Sequence, residues 1–266
     1  MTASPHPADI SPLHAVRQGF RVESPAVLRA GAGVRLEPEG GATGAAGHEA
    51  EVSARFPQLF GAPRVVFAQT EGEEGGLGEK VLRVGCLLSG GQAPGGHTLI
   101  CGLFDYVKAV SPASELIGFL GGPKGLFSGR SVVITAEMVH RFRHTGGFDM
   151  IGSGRDKIES EEQFADSLRE ATALRLDGVV VIGGDDSNTN AAALAEYFSA
   201  QGSGIRVVGC PKTIDGDLQA EGSIPVSFGF DTAARVYSSS VGCLAVDALS
   251  SRKYYHFVRV MGRSAS

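Results

Sequence analysis

The feature that most constrains the fold is a continuous apolar run, Val179 to Ile182, which ends at two glycines and leads into a helix-like pattern. A short β-branched run without polar alternation is typical of a strand buried on both faces of a parallel sheet. The apolar runs in "VLRVGCLLSGG", "ELIGFLGG" and "IRVVGCPK" lie on either side of it along the chain, with helical patterns between several of them. This alternation predicts an α/β fold, an open and mostly parallel sheet with helices on both faces.

The helices are indicated by capping residues and by spacing. In "SEEQFADSLREATALRL", Ser160 and Gln163 have the spacing of a capping box, and apolar residues follow at helical intervals. A second helix is predicted from Asn188 to about Ala200, and a third from about Asp231 to Leu249. The final apolar stretch, "YHFVRVMG", predicts a last strand.

The first 80 residues have a different texture. The stretch "LRAGAGVRLEPEGGATGAAGHEAE" is rich in glycine and alanine and has no sustained apolar period, so it cannot bury a core of its own. An acidic, glycine-rich hinge, "EGEEGGLGEK", follows it. We therefore expect a poorly structured, extended N-terminal leader over residues 1–80 and a folded domain over residues 81–266.

Composition narrows the class of protein. The chain of 266 residues is 42% hydrophobic with a formal charge of −5, which predicts a soluble globular protein and argues against a polybasic nucleic-acid binder. We expect no membrane association, because no apolar run is long enough to span a bilayer and the N-terminus lacks the features of a secretory signal. Four cysteines without CxxC spacing fit reduced thiols in the cytoplasm.

Four polar or glycine-rich loops follow predicted strands: "SGGQAPGGH", "GGDDS", "PKTIDGD" and "MGRS". Ligands of open α/β sheets bind at the carboxyl ends of the strands, so we expect these loops to converge there. Glycines allow the backbone to approach an anion closely. Taken alone, however, "SGGQAPGG" is equally compatible with a tight turn between a strand and a helix.

Acidic side chains stand in two of these loops. Asp185 and Asp186 are adjacent, whereas Asp215 and Asp217 are two residues apart and can face one side of an extended loop, with Lys212 just before them. Carboxylates beside glycine-rich anion cradles are what a Mg²⁺–phosphate complex requires, and one further carboxylate can accept a proton. The residue types alone do not divide these carboxylates between metal ligands and base. The alternative is a solvated turn, with Asp186 or the serine after it as a helix N-cap.

Cationic residues occur in two further glycine-rich loops. Arg155 and Lys157 lie in "GSGRDKI", where a solvated turn is an equally good interpretation, and Arg263 is placed to clamp a phosphate at a strand exit. No HxxxH or HExxH pair, no GxSxG elbow and no GxGxxG after the first strand is found. Zinc hydrolysis and a Rossmann dinucleotide site therefore have no support.

The ordered series of motifs resembles the phosphofructokinase superfamily and, within it, the pyrophosphate-dependent fructose 6-phosphate 1-phosphotransferases. It covers about Val81 to Ser266 and comprises "SGGQAPGGH", "GFLGGPKGL", "TGGFDMIGSGRDKI", "GGDDSNTN", "PKTIDGD", "SFGFDTA" and "KYYHFVRVMGR". The resemblance is closest to the catalytic beta subunit of the plant-type enzyme, because the regulatory subunit loses these acidic motifs. Members of the family continue past MGR, so the resemblance implies an incomplete chain.

The resemblance implies roles for the charged residues. In ATP-using relatives the loop reads GGDGS, whereas here Asp186 puts a carboxylate where the α-phosphate of a nucleotide would lie. Asp185 would hold Mg²⁺, with Asp217 as the second metal candidate, and Lys212 would stabilise the charge on the transferring pyrophosphate. Asp215 would be the general base that takes the proton from the 1-hydroxyl of the sugar.

The remaining contacts are implied in the same way. Gly91 would contact pyrophosphate, and Arg155 is a further substrate-binding candidate. The residues that would line the sugar phosphate are Thr213, Ile214, Met261, Gly262 and Arg263. Lys253 and Tyr254 match residues that reach the sugar phosphate of a neighbouring subunit, which implies a homo-oligomer or a hetero-oligomer with a regulatory alpha subunit.

The predicted reaction is reversible, Mg²⁺-dependent phosphoryl transfer from pyrophosphate to fructose 6-phosphate, which gives fructose 1,6-bisphosphate and phosphate. An ATP-dependent phosphofructokinase is the first alternative, and Asp186 and Lys212 argue against it. A catalytically silent regulatory subunit is the second, and the acidic residues of "GGDDS" and "PKTIDGD" argue against it.

Overall fold

The secondary structure is seen in a computed structural model that describes residues 11–23, 25, 28, 33–45, 47–70, 80–216, 218 and 227–261. Its strands are β1 (Gly33–Ala42), β2 (Pro63–Thr70), β3 (Arg83–Ser89), β4 (Glu115–Phe119), β5 (Ser131–Val133), β6 (Ser153–Gly154), β7 (Gly178–Gly183), β8 (Arg206–Thr213) and β9 (Phe228–Gly229). Its helices are α1 (Pro12–Gly19), α2 (Glu49–Arg55), α3 (Gly96–Val110), α4 (Pro123–Phe127), α5 (Ala136–Phe142), α6 (Glu161–Ala173), α7 (Asp185–Ala200) and α8 (Phe230–Ser251).

A seven-stranded, mostly parallel sheet organises the chain from residue 83 onwards. Its order is β5-β4-β3-β7-β8-β9, and β6 pairs with the end of β3. Strands β3, β4, β7, β8 and β9 run parallel, and only β5 pairs antiparallel, with β4. The predicted strands of the central sheet and their parallel arrangement are therefore confirmed.

Helices cover both faces of this sheet, as predicted. Alternate residues of β3 point to opposite sides: Cys86 and Leu88 lie in a core cluster with α3 and α5, whereas Leu87 lies in a second cluster with α4, α6 and α7. Phe119 and Phe198 are fully buried in the second cluster. The central strands are apolar along their whole length because helices pack against both faces of the sheet.

The amphipathic helix predicted from its capping box is α6. The Ser160 hydroxyl accepts the Gln163 N–H at 3.2 Å, and the Gln163 side chain accepts the Ser160 N–H at 3.1 Å. Two of the four N–H groups that a helix start leaves without a partner are satisfied in this way. The capping box in the sequence therefore predicted the start of this helix correctly.

Helix α7 begins three residues earlier than the sequence predicted. Its N-cap is Gly184, so Asp185 and Asp186 belong to its first turn. The interpretation of Asp186 or Ser187 as the N-cap is therefore wrong. The reason lies in the first turn itself: the Asn188 side chain donates to the carbonyls of Gly183 and Gly184, at 2.8 and 2.7 Å, and stabilises the earlier start.

The first 80 residues carry more secondary structure than an extended leader. Their described part contains α1, α2 and an antiparallel hairpin of β1 and β2. Gln18 is the one buried residue among residues described between 11 and 70, and its side chain donates to the His140 carbonyl at 2.9 Å. A hairpin can satisfy its backbone through its own ladder without an apolar core, which is why composition did not reveal it.

The chain after β9 leaves its apolar residues exposed. Helix α8 is longer than predicted, and "YHFVRVMG" forms no strand in the described residues 252–261, which corrects that prediction. Tyr255 and Phe257 are 95% and 96% exposed. A strand requires a neighbour for its ladder, which an apolar sequence alone does not provide. Within the described chain, no helix has both the length and the apolarity needed to cross a bilayer.

Candidate active site

Three of the four loops predicted to converge meet at the carboxyl edge of β3, β7 and β8. The chain leaves β3 for β4 on one side and returns as β7 on the other, so this edge contains a topological switch point. Ser187, at the start of α7, donates to Ser89, at the end of β3, across 2.8 Å in a buried hydrogen bond. Gly183 and Pro211 are paired in the register of β7 and β8.

The glycine-rich loop after β3 lies against two cationic side chains. Gly90 has a φ of +84°, and its N–H donates to the Gly154 carbonyl at 2.8 Å. A Cβ on Gly90 would lie 3.7 Å from Lys212 Nζ, and one on Gly91 would lie 3.4 Å from an Arg155 guanidinium nitrogen. The two glycines therefore leave open the space directly beside Lys212 and Arg155.

Lys212 is the buried charge of this site. It is 7% exposed and lies at the end of β8. Burial lowers its pKa below the ordinary value for lysine, and the charge of Arg155 lowers it further, whereas Asp215 and Asp185 act to raise it. A buried ammonium near a guanidinium and two carboxylates suits an anion with several negative charges.

The adjacent aspartates have different surroundings. Asp185 is close enough to Lys212 to affect its pKa. Asp186 is 78% exposed and forms an ion pair with Lys157, whose Nζ lies 3.6 Å from the Asp186 carboxylate. Both occupy the first turn of α7, where the helix dipole favours negative charge. The helix start therefore offsets part of the repulsion between the two neighbouring carboxylates.

The loop after β8 carries the other carboxylate. Thr213 is buried, and its hydroxyl accepts the Asp215 N–H at 2.9 Å, which holds the turn after the strand. Ile214 packs against the core cluster that contains α3. It also lines a cleft of about 1080 Å³, together with Ala93, Gly146 and residues at the starts of α3 and α8. A ligand of sugar-phosphate size fits in this volume.

A buried histidine orders the loop that leads to Arg155. His97 is 1% exposed, and its Nε2 accepts the Met150 N–H at 3.1 Å. Its Nδ1 lies 2.6 Å from the Thr145 hydroxyl, which donates to the Phe142 carbonyl and therefore accepts from the ring. Burial lowers the pKa of His97, although Asp149 opposes the shift. This pattern assigns a neutral ring, so the nearby Asp149 is not its ion-pair partner.

Other predicted site residues lie in the exposed segment after α8 or outside the described residues. Tyr254 and Met261 are 73% and 66% exposed in the segment after α8, where Lys253 is exposed as well. Asp217, Gly262 and Arg263 lie outside the described residues. Across the described part of the chain, no group of three or more His, Cys, Asp or Glu side chains could hold a metal ion.

The sequence did not single out some residues that build the site. Ser89, Ser187 and Asn188 join two strand exits to α7, and their spacing gives no signal of this. For Lys157 the sequence favoured neither a site residue nor a residue of a solvated turn. In the structure it forms an ion pair with Asp186. Its loop follows a strand that ends at the same edge, which is a signal that could have favoured the site.

A switch point with a glycine-rich loop, a buried lysine and paired carboxylates defines a class of α/β proteins that bind phosphorylated ligands. The chain belongs to the phosphofructokinase family, whose family model, "Phosphofructokinase", matches residues 83–266. Its fold also resembles that of a solved pyrophosphate-dependent phosphofructokinase from Marinobacter aquaeolei. That structure matches with a TM-score of 0.57 and 20% identity, over 64% of this chain and 42% of the other.

Two curated relatives are more similar in sequence. "Pyrophosphate--fructose 6-phosphate 1-phosphotransferase subunit beta 2" of Arabidopsis thaliana is 52% identical over 86% of this chain and 40% of its own length. "Pyrophosphate--fructose 6-phosphate 1-phosphotransferase" of Porphyromonas gingivalis is 48% identical over 96% of this chain and 45% of its own length. The chain thus spans less than half the length of these relatives.

Proposed function

We propose that the protein catalyses reversible, Mg²⁺-dependent phosphoryl transfer from pyrophosphate to the 1-hydroxyl of fructose 6-phosphate. The products would be fructose 1,6-bisphosphate and phosphate. The observation that carries the proposal is the buried Lys212, which lies beside Gly90 and whose pKa is affected by the charges of Arg155, Asp215 and Asp185. The names of the Arabidopsis and Porphyromonas relatives support this choice of donor and acceptor.

The donor half of the site would bind pyrophosphate. The backbone at Gly91 would approach one phosphate, and Arg155 and Lys212 would neutralise its charge. Asp186 would occupy the volume that the α-phosphate of a nucleotide needs, so that ATP is disfavoured. An inorganic donor has no nucleoside to anchor it, and for this reason fixed charges must supply both its affinity and its orientation.

The donor set that we assign to this edge would suit Mg²⁺. Mg²⁺ uses hard oxygen ligands and commonly takes one or two carboxylates, with waters and substrate phosphates completing its shell. Asp185, beside Lys212, would supply one carboxylate, and Asp217 would supply a second from the loop after β8. When bound, the ion would neutralise charge on the transferring phosphoryl group.

The acceptor half would bind fructose 6-phosphate. Asp215 would take the proton of the 1-hydroxyl, while Thr213 and Ile214 would line the sugar phosphate. Met261, Gly262 and Arg263 would complete that site. Catalysis would then rest on positioning and charge neutralisation, without a covalent intermediate on the enzyme.

The assembly and the location follow from the same proposal. Lys253 and Tyr254 would reach the sugar phosphate of a neighbouring subunit, so the protein would act as a homo-oligomer or with a regulatory alpha subunit. The name of the Arabidopsis relative, a subunit beta, supports an assembly. The four free cysteines, two of them buried, support a cytoplasmic location.

The donor assignment is tested by assaying the protein with fructose 6-phosphate and either pyrophosphate or ATP. We expect turnover with pyrophosphate and none above background with ATP. Chelation of Mg²⁺ should abolish turnover, and added Mg²⁺ should restore it. A clear preference for ATP would overturn the assignment, and no turnover with either donor would favour a silent regulatory subunit.

The base is tested with Asp215→Asn. The change is nearly isosteric, so the fold and sugar-phosphate binding should persist while the rate falls by a factor on the order of 10²–10⁴. The checks are turnover of pyrophosphate and calorimetric binding of fructose 6-phosphate. A variant that turned over within a few-fold of the parent would exclude Asp215 as the base.

A further inference from the structure

Asp186 forms an ion pair with a lysine from a different loop. Its carboxylate lies 3.6 Å from Lys157 Nζ, and the lysine comes from the loop after β6. The side chains of Asp186 and Lys157 are 78% and 47% exposed, whereas Lys212 is 7% exposed. The pair therefore lies towards solvent, outside the buried charges.

The loop that carries Lys157 is held in place by the same helix that carries Asp186. The Asn190 side chain on α7 accepts the Ile158 N–H at 3.0 Å and donates to the Ile158 carbonyl at 2.6 Å. Ile158 itself is 3% exposed and packs in the core cluster with α7. Asn190 lies one helical turn after Asp186, so the two contacts share one face of α7.

The inner and outer charges form separate groups. The charges that shift the pKa of Lys212 are Arg155, Asp215 and Asp185. Asp186, by contrast, is paired with Lys157. The adjacent aspartates thus have different cationic neighbours, the buried Lys212 for Asp185 and the partly exposed Lys157 for Asp186.

We propose that Lys157 is a positioning residue that holds Asp186 as a barrier on the solvent side of the proposed pyrophosphate site. This inference rests on the proposed function. The ion pair cancels the repulsion that Asp186 would exert on pyrophosphate, and it keeps the carboxylate where a third phosphate would extend. Specificity for a short inorganic donor therefore needs both residues, since an unpaired aspartate would repel every anionic donor.

The first arm of the test removes the lysine. Lys157→Met should raise KM for pyrophosphate roughly 3- to 10-fold and change kcat less than about twofold, because an exposed pair contributes modestly. The penalty should shrink at high salt, where exposed charges are screened. Lys157→Arg should restore KM to within about twofold. Lys124→Met, at an exposed lysine on α4, is the matched control and should leave KM unchanged.

The second arm removes the aspartate and uses inorganic tripolyphosphate as a probe. Asp186→Asn leaves Lys157 unpaired, so inhibition by tripolyphosphate should become about tenfold tighter. The double variant Lys157→Met with Asp186→Asn should return KM for pyrophosphate close to the parent value. Such non-additivity is the signature of two residues that act as a pair.

The two proposals fail in distinguishable ways. Suppose that the parent turns over pyrophosphate and that Lys157→Met matches it in KM for pyrophosphate and in inhibition by tripolyphosphate. That result would overturn only the inference. Independent, additive effects of the two single variants would also overturn it. A parent without pyrophosphate turnover would overturn the proposed function and this inference together. Melting temperatures of all variants exclude loss of the fold as the cause.

Discussion

Helices α7 and α8 start in the same way and have different surroundings. Each follows a strand of the sheet, has a glycine N-cap, Gly184 or Gly229, and carries at least one acidic residue in its first turn. Helix α7 buries Leu194 and Phe198, which are 1% and 0% exposed. In α8, by contrast, Ala233 is the one buried residue among those the structure describes.

The difference lies in what each helix packs against. Helix α7 lies on β7 and β8 and contacts α6, where Phe164 and Tyr197 stack with ring centroids 5.3 Å apart. The later turns of α8 leave Val246 and Leu249 67% and 73% exposed. Burial, and with it stabilisation, depends on a partner surface and not on the apolar residues alone.

The sharpest test of this difference is a matched pair of leucines. Leu194→Ala on α7 should cost about 2–5 kcal/mol in the free energy of unfolding, because it removes a buried side chain and leaves a cavity. Leu249→Ala on α8 should change that free energy by no more than about 0.5 kcal/mol. Denaturant unfolding curves of the two variants measure both values. Equal losses would show that α8 is covered by a partner surface in solution.

The second test compares aspartates on the two helices. Asp185→Asn should lower kcat/KM for pyrophosphate by a factor on the order of 10²–10³, because it removes a proposed metal ligand beside Lys212. Asp247→Asn, at an exposed position on α8, should leave kcat/KM within about twofold. Steady-state assays over a range of Mg²⁺ concentrations check the assignment. A normal Mg²⁺ dependence in Asp185→Asn would contradict it.

The smallest expected effect concerns serines. Ser187→Ala should cost about 1–3 kcal/mol in the free energy of unfolding, because the buried Ser89 hydroxyl loses the partner that now lies 2.8 Å away. Adding Ser89→Ala should recover part of that loss, since no buried hydroxyl is then left unpaired. Ser239→Ala, exposed on α8, is the control. A double variant less stable than the sum of the single changes would rule out the pairing as the cause.

The start of α7 shows why part of the site could not be predicted. Adjacent aspartates after a strand favour a capping turn by local propensity, yet the helix begins at Asp185. Contacts made by Asn188 and Ser187 with Gly183, Gly184 and Ser89 override that preference. The contact between Ser187 and Ser89 joins residues that are distant along the chain, and no local pattern encodes it.

The sequence by itself determined the parallel strands, the capped helix α6 and the edge of the sheet at which the motifs gather. These features follow from local periodicity, capping chemistry and the rule that the carboxyl ends of parallel strands share one edge. Only the tertiary structure decided that Lys157 pairs with Asp186, that Lys212 is buried and that the apolar side of α8 is exposed. Charge pairing and burial depend on which distant surfaces meet, and a residue pattern does not specify its partner.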